Sequence, residues 1–487
     1  MDKSDFSNKV ASASKWSLFT ELSAKLIGPF SLIILARFLT PDEFGVVTIA
    51  TMVISFTQVF MTSGLHKAIV QKEEEKYRIE EISSVVFWAN MFFSSIIFFI
   101  VFLIADPLSH LLNEPRIANV IKVLALQIIF SALSLVQTAL FQRDLKFKKL
   151  FWVRIVTVVA PTILSIPLAI LGLGYWAIVG GQIFGSLANT IVLWTITKWK
   201  PSFYFNFNIF KELFSFGYLS IIEGIAGWFV VWLDAIVIGV YFSTNELGLY
   251  RTASSFVNAI MLLLVSPVTP VLYSALSRLQ SDQHMFKTHF LQAQKLVFFV
   301  SITVGIIFLL FGDIIGNIIY GSQWKGIGII ISILGIAYGF KALCSLNGEA
   351  YRAKGRPGIN ALVMSINLMI YIPGYIFAGG LGLIYFVLAK AILMNFPQPI
   401  WHFYYSKKIF NVSFKEVFNN IKFVFWAATG VLIVFIMYSF VFNNNSVYIN
   451  TIIMFILLLL YFICLIPEKQ FFKKTVFTVK NTISKVS

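Results

Sequence analysis

The sequence has little charge and almost no cysteine for its length. Only 12% of its 487 residues are charged and 58% are hydrophobic, whereas an ordinary soluble protein carries roughly 25% charged residues. The two cysteines, Cys344 and Cys464, both lie inside apolar runs. A disulfide framework or a zinc site needs more cysteines at closer spacing. The composition therefore argues against a soluble fold and predicts a chain whose solvent is mostly lipid.

Motifs for nucleotide and metal chemistry are missing as well. The sequence has no G-x-x-x-x-G-K-[ST] loop and no H-E-x-x-H, and its five histidines are scattered. We therefore expect no catalytic residue, no metal site and no cofactor, apart from a coupling Na⁺ or H⁺.

Long apolar runs are what the sequence has in abundance. A bilayer core of about 30 Å needs roughly 20 apolar residues in a helix. About fourteen such runs start near residues 16, 44, 82, 118, 151, 176, 216, 251, 296, 327, 360, 383, 422 and 449. The predicted fold class is an all-α integral membrane protein with about fourteen transmembrane helices.

The basic residues give an orientation. Of the 38 lysines and arginines, 30 fall in alternate connections and at the two termini, and four fall in the opposite loops. Because cytoplasmic loops carry an excess of these residues, both termini are predicted to be cytoplasmic. This topology accounts for most of the net charge of +16, so no nucleic-acid partner is needed.

The loops on the predicted outer face are short. The longest covers residues 105–119, which leaves little room for the site of a glycan ligase or polymerase that acts outside the cell. We expect no enzyme, although a site built inside the helix bundle stays open as an alternative.

One short turn is written twice. Residues 37–50 read RFLTPDEFGVVTIA, and residues 240–253 read VYFSTNELGLYRTA, so that Glu43, Gly45 and Ala50 align with Glu246, Gly248 and Ala253. Both turns fall on the predicted outer face. The repeat predicts two parallel six-helix lobes, a pattern typical of transporters, with boundaries at residues 1–200 and 201–420 and a final helix pair and tail at 421–487.

Ionisable side chains inside the runs are the candidate functional residues, because each costs about 2.5–3.5 kcal/mol at a helix centre. Interior bases predict an anionic cargo, and lysine meets a phosphate or pyrophosphate as a point charge. We assign three lysines to substrate binding in a central cavity: Lys25, Lys341 and Lys390. Four acids are candidate counter-ions or ion-coupling sites: Glu21, Glu223, Asp234 and Glu349. For Glu21 and Lys25, four residues apart on one helix face, a purely structural ion pair is an equal alternative.

Several motifs together carry a resemblance to a known family. They include ARFLTPDEFG (36–45), QRDLKFKKL (142–150), GYWAIVGGQIFG (174–185), ELGLYRTA (246–253) and SLNGEAYRAKGRPG (345–358). In this order and spacing, the chain resembles Wzx-type oligosaccharide flippases of the colanic-acid and teichuronic-acid exporter branch. These belong to the superfamily that also holds the multidrug and toxin extruders.

The resemblance implies a fold, a function and a location. It implies a fold like that of multidrug and toxin extruders, with a cationic cavity that moves a polyprenyl-pyrophosphate-linked oligosaccharide across the bacterial inner membrane. Arg37 lies in a shared loop signature and joins the candidate substrate-binding residues. Expected partners are membrane lipids and the polymerase and glycosyltransferases of the same pathway. Two alternatives stay open: an ion-coupled small-molecule antiporter of the same fold, and a membrane-embedded glycan ligase or polymerase.

Overall fold

A computed structural model describes residues 16, 27–63, 66, 69–70, 79–441 and 447–468. Within these ranges the regular structure is helical and there is no β-strand. Helices close all their backbone hydrogen bonds within one segment, which a chain surrounded by hydrocarbon requires. The prediction of an all-α protein is therefore confirmed.

The described residues include eighteen α-helices whose bounds are defined. In chain order they are α1 (Ile27–Ala36), α2 (Pro41–Ser63), α3 (Ile79–Leu111), α4 (Arg116–Leu124), α5 (Leu126–Arg143), α6 (Phe147–Ile170), α7 (Tyr175–Ile196), α8 (Phe207–Tyr241), α9 (Thr244–Val265), α10 (Val268–Arg278), α11 (Gln283–Tyr320), α12 (Ile327–Lys341), α13 (Asn347–Ala353), α14 (Gly358–Gly379), α15 (Leu383–Asn395), α16 (Pro397–Phe410), α17 (Phe414–Val441) and α18 (Val447–Cys464).

Twelve stretches of the described chain are long and apolar enough to cross a bilayer, judged by length and composition. Two shorter apolar helices, Ile27–Ala36 and Asn450–Cys464, fall where the first and last spans are predicted. The chain is thus a multi-pass membrane protein, and fourteen is an approximate count of its crossings.

Four of the twelve spans consist of two helices in series. Proline causes two of these breaks, at Pro267 and Pro397, because it lacks an N–H and its ring clashes with the preceding turn. A third break lies between α12 and α13, where Ala342–Cys344 form a 3₁₀ turn. Irregular backbone at membrane depth is tolerated where it is buried in protein or lines a cavity. This break therefore makes the fourth helix of the second predicted lobe a candidate to line a cavity.

The chain divides into two compact units. The first contains the described residues up to Thr252 together with Tyr320–Trp324, and the second contains Ala253–Ile319 and the described residues from Lys325 onward. The lobe boundaries at residues 200 and 420 stay a prediction.

In the first unit, the connection after α11 fastens the end of α1. The indole N–H of Trp324 donates to the carbonyl of Ala36 over 2.8 Å, and the amide of Gln323 donates to the same carbonyl over 2.7 Å. The Trp324 ring meets Phe44 edge-on, with ring centroids 5.1 Å apart. The turn between α1 and α2 is therefore fixed by residues of the connection after α11, in addition to its own two helices.

In the second unit, α11 packs against the two C-terminal helices through an apolar core. Members of that core include Phe298, Ile302, Ile306, Val424, Ala428 and Tyr461. Near one end of this core, the ammonium of Lys295 donates to Glu468 over 2.6 Å, and both side chains are buried. Losing one partner of such a pair is costly, because the other charge stays buried. The pair ties the residues after α18 to α11.

Candidate functional site

The twice-written turn forms the same helix cap in both copies. At α2, the backbone N–H of Thr40 donates to Glu43 over 2.7 Å, and the threonine hydroxyl donates to the same carboxylate over 3.0 Å. At α9, Ser243 and Glu246 repeat these bonds over 3.0 and 2.9 Å. This is the capping box, in which the N-cap residue and the glutamate three residues later each accept a hydrogen bond from the other's backbone N–H at the start of a helix. The conserved spacing of the repeat is explained by two equivalent helix N-termini.

The two copies also touch each other. A Cβ atom on Gly45 would lie 1.8 Å from the backbone oxygen of Thr244, and one on Gly248 would lie 1.7 Å from that of Pro41. Thr244 and Pro41 are the first residues of α9 and α2, so each helix places its glycine on the start of the other. Any side chain at either glycine would collide with backbone. We call this contact the glycine crossing.

An ion-pair network covers the glycine crossing. The Arg116 guanidinium donates to Asp42 over 2.6 and 3.1 Å and to Glu114 over 2.7 Å. The hydroxyl of Thr244 also donates to Asp42. The Arg116 guanidinium holds the pKa of the Glu114 carboxyl below its usual range. Bidentate charge-assisted bonds are strong and directional, so this network fixes the start of α2 against α4 and α9.

Two of the predicted substrate lysines meet at one aromatic ring in the second unit. The ammonium of Lys341 lies 5.3 Å from the centroid of the Tyr338 ring, and that of Lys390 lies 6.0 Å from it. Lys390 is buried and Lys341 is half-buried. The amide of Asn395 donates to the carbonyl of Ala337 over 3.0 Å, which fixes α15 against α12 beside this ring. The chain thus holds two positive charges at one place, immediately before the break that follows α12.

Glu349 lies on the other side of that break and is paired. The buried Glu349 accepts a hydrogen bond from Arg352, one turn further along α13. Beyond it lies a buried polar cluster in which the side-chain amide of Asn347 donates to Ser406 over 2.9 Å and the hydroxyl of Tyr351 lies 3.2 Å from the ring nitrogen of His402. Glu349 therefore acts as a counter-ion to an arginine that the sequence analysis does not single out.

Asp234 lies buried near the end of α8. Its carboxylate accepts a hydrogen bond from the hydroxyl of Tyr250 over 2.5 Å and one from the backbone N–H of Ala235 over 2.7 Å. The tyrosine belongs to α9, so Asp234 joins α8 to α9 close to the glycine crossing.

Two further predicted residues, Arg37 and Glu223, belong to the first unit. Arg37 is exposed in the turn after α1, and Glu223 is exposed on α8. Glu21 and Lys25 lie outside the described residues. The structure therefore brings Lys341 and Lys390 together at Tyr338.

Sequence reasoning missed Arg116, Lys295 and Tyr338. Arg116 is 74 residues from Asp42, so no short-range pattern links them. A usable signal was present, because Asp42 and Glu43 are acids in the first turn of α2 and Arg116 is one of only four bases in the predicted outer loops.

A family model described as polysaccharide biosynthesis protein matches residues 34–328 of this chain. Three relatives also match. The succinoglycan biosynthesis transport protein ExoT of Rhizobium meliloti is 25% identical over 68% of this chain and 66% of its own length. The lipopolysaccharide biosynthesis protein WzxC of Escherichia coli is 22% identical over 88% of this chain and 87% of its own. The teichuronic acid biosynthesis protein TuaB of Bacillus subtilis is 22% identical over 87% and 88%.

Two solved structures share the fold. The lipid II flippase MurJ in an inward closed conformation superposes with a TM-score of 0.72 over 93% of this chain and 99% of its own, at 15% identity. An inward-facing multidrug resistance MATE family transporter gives a TM-score of 0.60 over 80% of this chain and 98% of its own, at 11% identity. The predicted fold, like that of the multidrug and toxin extruders, is confirmed.

Proposed function

Because the chain belongs to the polysaccharide biosynthesis protein family, we propose that it is a flippase for oligosaccharides linked to a polyprenyl pyrophosphate. It moves these units across the bacterial inner membrane for assembly of a surface polysaccharide. Its relatives with matches over most of their length take part in lipopolysaccharide and teichuronic acid biosynthesis, according to their names. Both termini lie in the cytoplasm, and the chain itself makes and breaks no covalent bond.

The lysine pair at Tyr338 is the observation that carries this proposal. Ammonium groups inside a membrane protein are expensive, and two beside one ring repel each other. Within the described residues, no carboxylate lies within 4.0 Å of Lys341. A diphosphate would bring a negative charge to Lys341, and lysine binds a phosphate as a compact point charge. The head group therefore binds at Tyr338, Lys341 and Lys390.

The glycine crossing supplies the closed end. An alternating-access cycle needs one end of the protein to close while the other is open. We propose that the crossing of α2 and α9, capped by Arg116, is the closed outer end and that it separates when the glycan leaves. Lys25 and Arg37 are proposed as further contacts of the glycan carrier. Partners in the cell are membrane lipids and the polymerase and glycosyltransferases that use the same carrier.

The source of energy is a separate part of the proposal. Asp234 links α8 to α9 through Tyr250, so binding of Na⁺ or H⁺ there would act next to the closed end. Consumption of the glycan after transport is the other source. If transport is unchanged when the Na⁺ and H⁺ gradients are collapsed, consumption of the glycan after transport is the energy source.

Reconstitution tests the proposed function. Liposomes that contain the purified protein and a lipid-linked oligosaccharide should expose the sugar to an external glycosidase faster than empty liposomes. No gain over empty liposomes contradicts the proposal. The same liposomes separate the alternatives, because an antiporter would move a small dye along an ion gradient, and a ligase or polymerase would change the mass of the glycan.

A further inference from the structure

A furrow in the first unit has walls of hydrocarbon. It encloses about 420 Å³ between α2, α3, α4 and α8, within the range of roughly 300–1,000 Å³ typical of small-ligand sites. One wall follows α3 from Ile97 to Leu108, about 16 Å of helix length. The other lining residues include Val53, Phe56, Thr57, Phe60, Ile121 and Trp228. The lining lies on predicted spans, so the furrow lies at bilayer depth.

The polar atoms in the lining are already used. The hydroxyl of Thr57 donates to the carbonyl of Ile54 over 2.8 Å, within its own helix. The indole N–H of Trp228 donates to the hydroxyl of Ser55 over 2.9 Å. No lining residue is ionisable. Since the walls offer nothing for a polar ligand to bond, the ligand is a hydrocarbon chain.

An aromatic ladder leads from the furrow to a cation. Phe56 packs on Trp228 with ring centroids 4.8 Å apart, and Trp228 stacks on Trp232 at 6.5 Å. The Arg251 guanidinium lies 4.1 Å from the centroid of the Trp232 ring. Its N–H donates weakly to the carbonyl of Val231 over 3.5 Å.

Arg251 has donors to spare. A guanidinium carries five N–H donors, and in the described part of the chain no carboxylate lies within 4.0 Å of this one. A cation stacked on an aromatic face is positioned for a phosphate, which arginine binds through two parallel bonds. The furrow and Arg251 thus match the two halves of an amphiphile, one apolar and one anionic.

We propose that the furrow and Arg251 form a second lipid site, which holds the single hydrocarbon chain and the phosphate of a polyprenyl phosphate carrier. This inference rests on the proposed function. Among anionic lipids, the polyprenyl carrier is the one that the proposed function already brings to the protein, and a two-chain phospholipid is the competing occupant in the test below. The furrow belongs to the first unit, whereas the lysine pair belongs to the second. Arg251 lies about two turns from the start of α9, which the charge pattern places at the outer face. It would hold the carrier lipid after the head group has crossed.

Photolabelling of the full-length protein in nanodiscs tests this site. The probe is a polyprenyl phosphate with a photoreactive group in its chain, and the labelled peptides are identified by mass spectrometry. We expect label on α2 and α3 residues that line the furrow. Unlabelled polyprenyl phosphate should compete at least about fivefold better than phosphatidylglycerol.

Two pairs of variants separate the halves of the site. Ile104→Trp fills the furrow and should lower labelling at least about fivefold. Leu103→Trp, on the next residue of α3 and 72% exposed outside the furrow, should stay within twofold of wild type. Arg251→Ala should weaken competition by polyprenyl phosphate about fivefold and leave competition by uncharged polyprenol unchanged, and Arg251→Lys should restore part of the loss.

Three results would overturn the inference: equal competition by phosphatidylglycerol, equal labelling of the two tryptophan variants, or no effect of Arg251→Ala. The flipping assay on the same preparation keeps this inference apart from the proposed function. Wild-type protein that flips the lipid-linked oligosaccharide without label in the furrow rejects the site alone. Label in the furrow without flipping rejects the proposed function.

Discussion

The glycine crossing and the lysine pair treat charge in opposite ways. At the crossing, Arg116 is matched by Asp42 and Glu114, and the helix starts are capped by their own residues. At the lysine pair, two ammonium groups share one ring. Arg116, Asp42 and Glu114 each face an opposite charge within the chain, whereas we propose that an anion of the substrate binds at the lysine pair. The comparison supports the proposal that the crossing is a structural closure and that the lysine pair binds the head group.

The largest effect should come from a side chain at the glycine crossing. Gly45→Ala or Gly248→Ala places a methyl group within 2 Å of a backbone oxygen, which cannot swing aside. Overpacking of this kind costs about 1–3 kcal/mol, so exposure of the sugar to the external glycosidase should slow at least about tenfold. Gly239→Ala is the matched control, since its Cβ would meet nothing nearer than 3.8 Å. Equal transport by Gly45→Ala and Gly239→Ala would show that the crossing plays no part in transport.

A smaller effect should follow from removal of the guanidinium that covers the crossing. Arg116→Ala leaves Asp42 and Glu114 facing each other without their shared partner. Because these side chains are partly exposed, the expected loss is about 0.5–1.5 kcal/mol of folding free energy. The readout is the melting temperature in detergent, which should drop by several degrees. Lys122→Ala is the control, because its partner Asp106 is 56% exposed and exposed pairs contribute little. A larger drop in melting temperature for Lys122→Ala than for Arg116→Ala would contradict the importance assigned to the Arg116 network.

The smallest effect concerns pH. Arg116 lowers the pKa of Glu114 in the folded protein from the ordinary value of 4.5. A group with a lowered folded pKa stabilises the protein above its unfolded pKa, and that contribution disappears as the pH falls through the folded pKa. The melting-temperature difference between wild type and Glu114→Gln should therefore be constant above about pH 5.5 and shrink below pH 4.5. A difference that widens toward acid pH would contradict the assigned direction.

The sequence predicted the spans well, for a physical reason. A bilayer demands long apolar helices, so runs such as those starting near residues 44 and 327 appear as α2 and α12. The repeated turn was also informative, because a capping box and a glycine at a close crossing are local requirements that fix residue types. The sequence analysis used the repeat only to predict two similar lobes; that the two copies contact each other is seen in the structure alone.

The candidate site was harder to predict. Hydropathy places Lys341 and Lys390 inside spans, but it does not give the rotation of each helix, which decides whether both reach Tyr338. Arg37 shows the same limit of sequence reasoning. Its family motif made it a candidate for substrate binding, but the motif does not predict that its side chain is exposed in the turn after α1. Asp42 and Arg116 meet across 74 residues, and although the rarity of bases in the predicted outer loops draws attention to Arg116, it does not identify Asp42 as its partner.

Binding of the lipid-linked oligosaccharide diphosphate to the pure protein shows whether the lysine pair holds the head group. The comparison is between wild type, the double variant Lys341→Ala/Lys390→Ala and the control Lys408→Ala, whose ammonium also lies 6.0 Å from a tyrosine ring but at the exposed end of α16. The account predicts that Kd rises at least about tenfold in the double variant, equivalent to about 1.4 kcal/mol, and less than twofold in the control. An unchanged Kd in a folded double variant would contradict it.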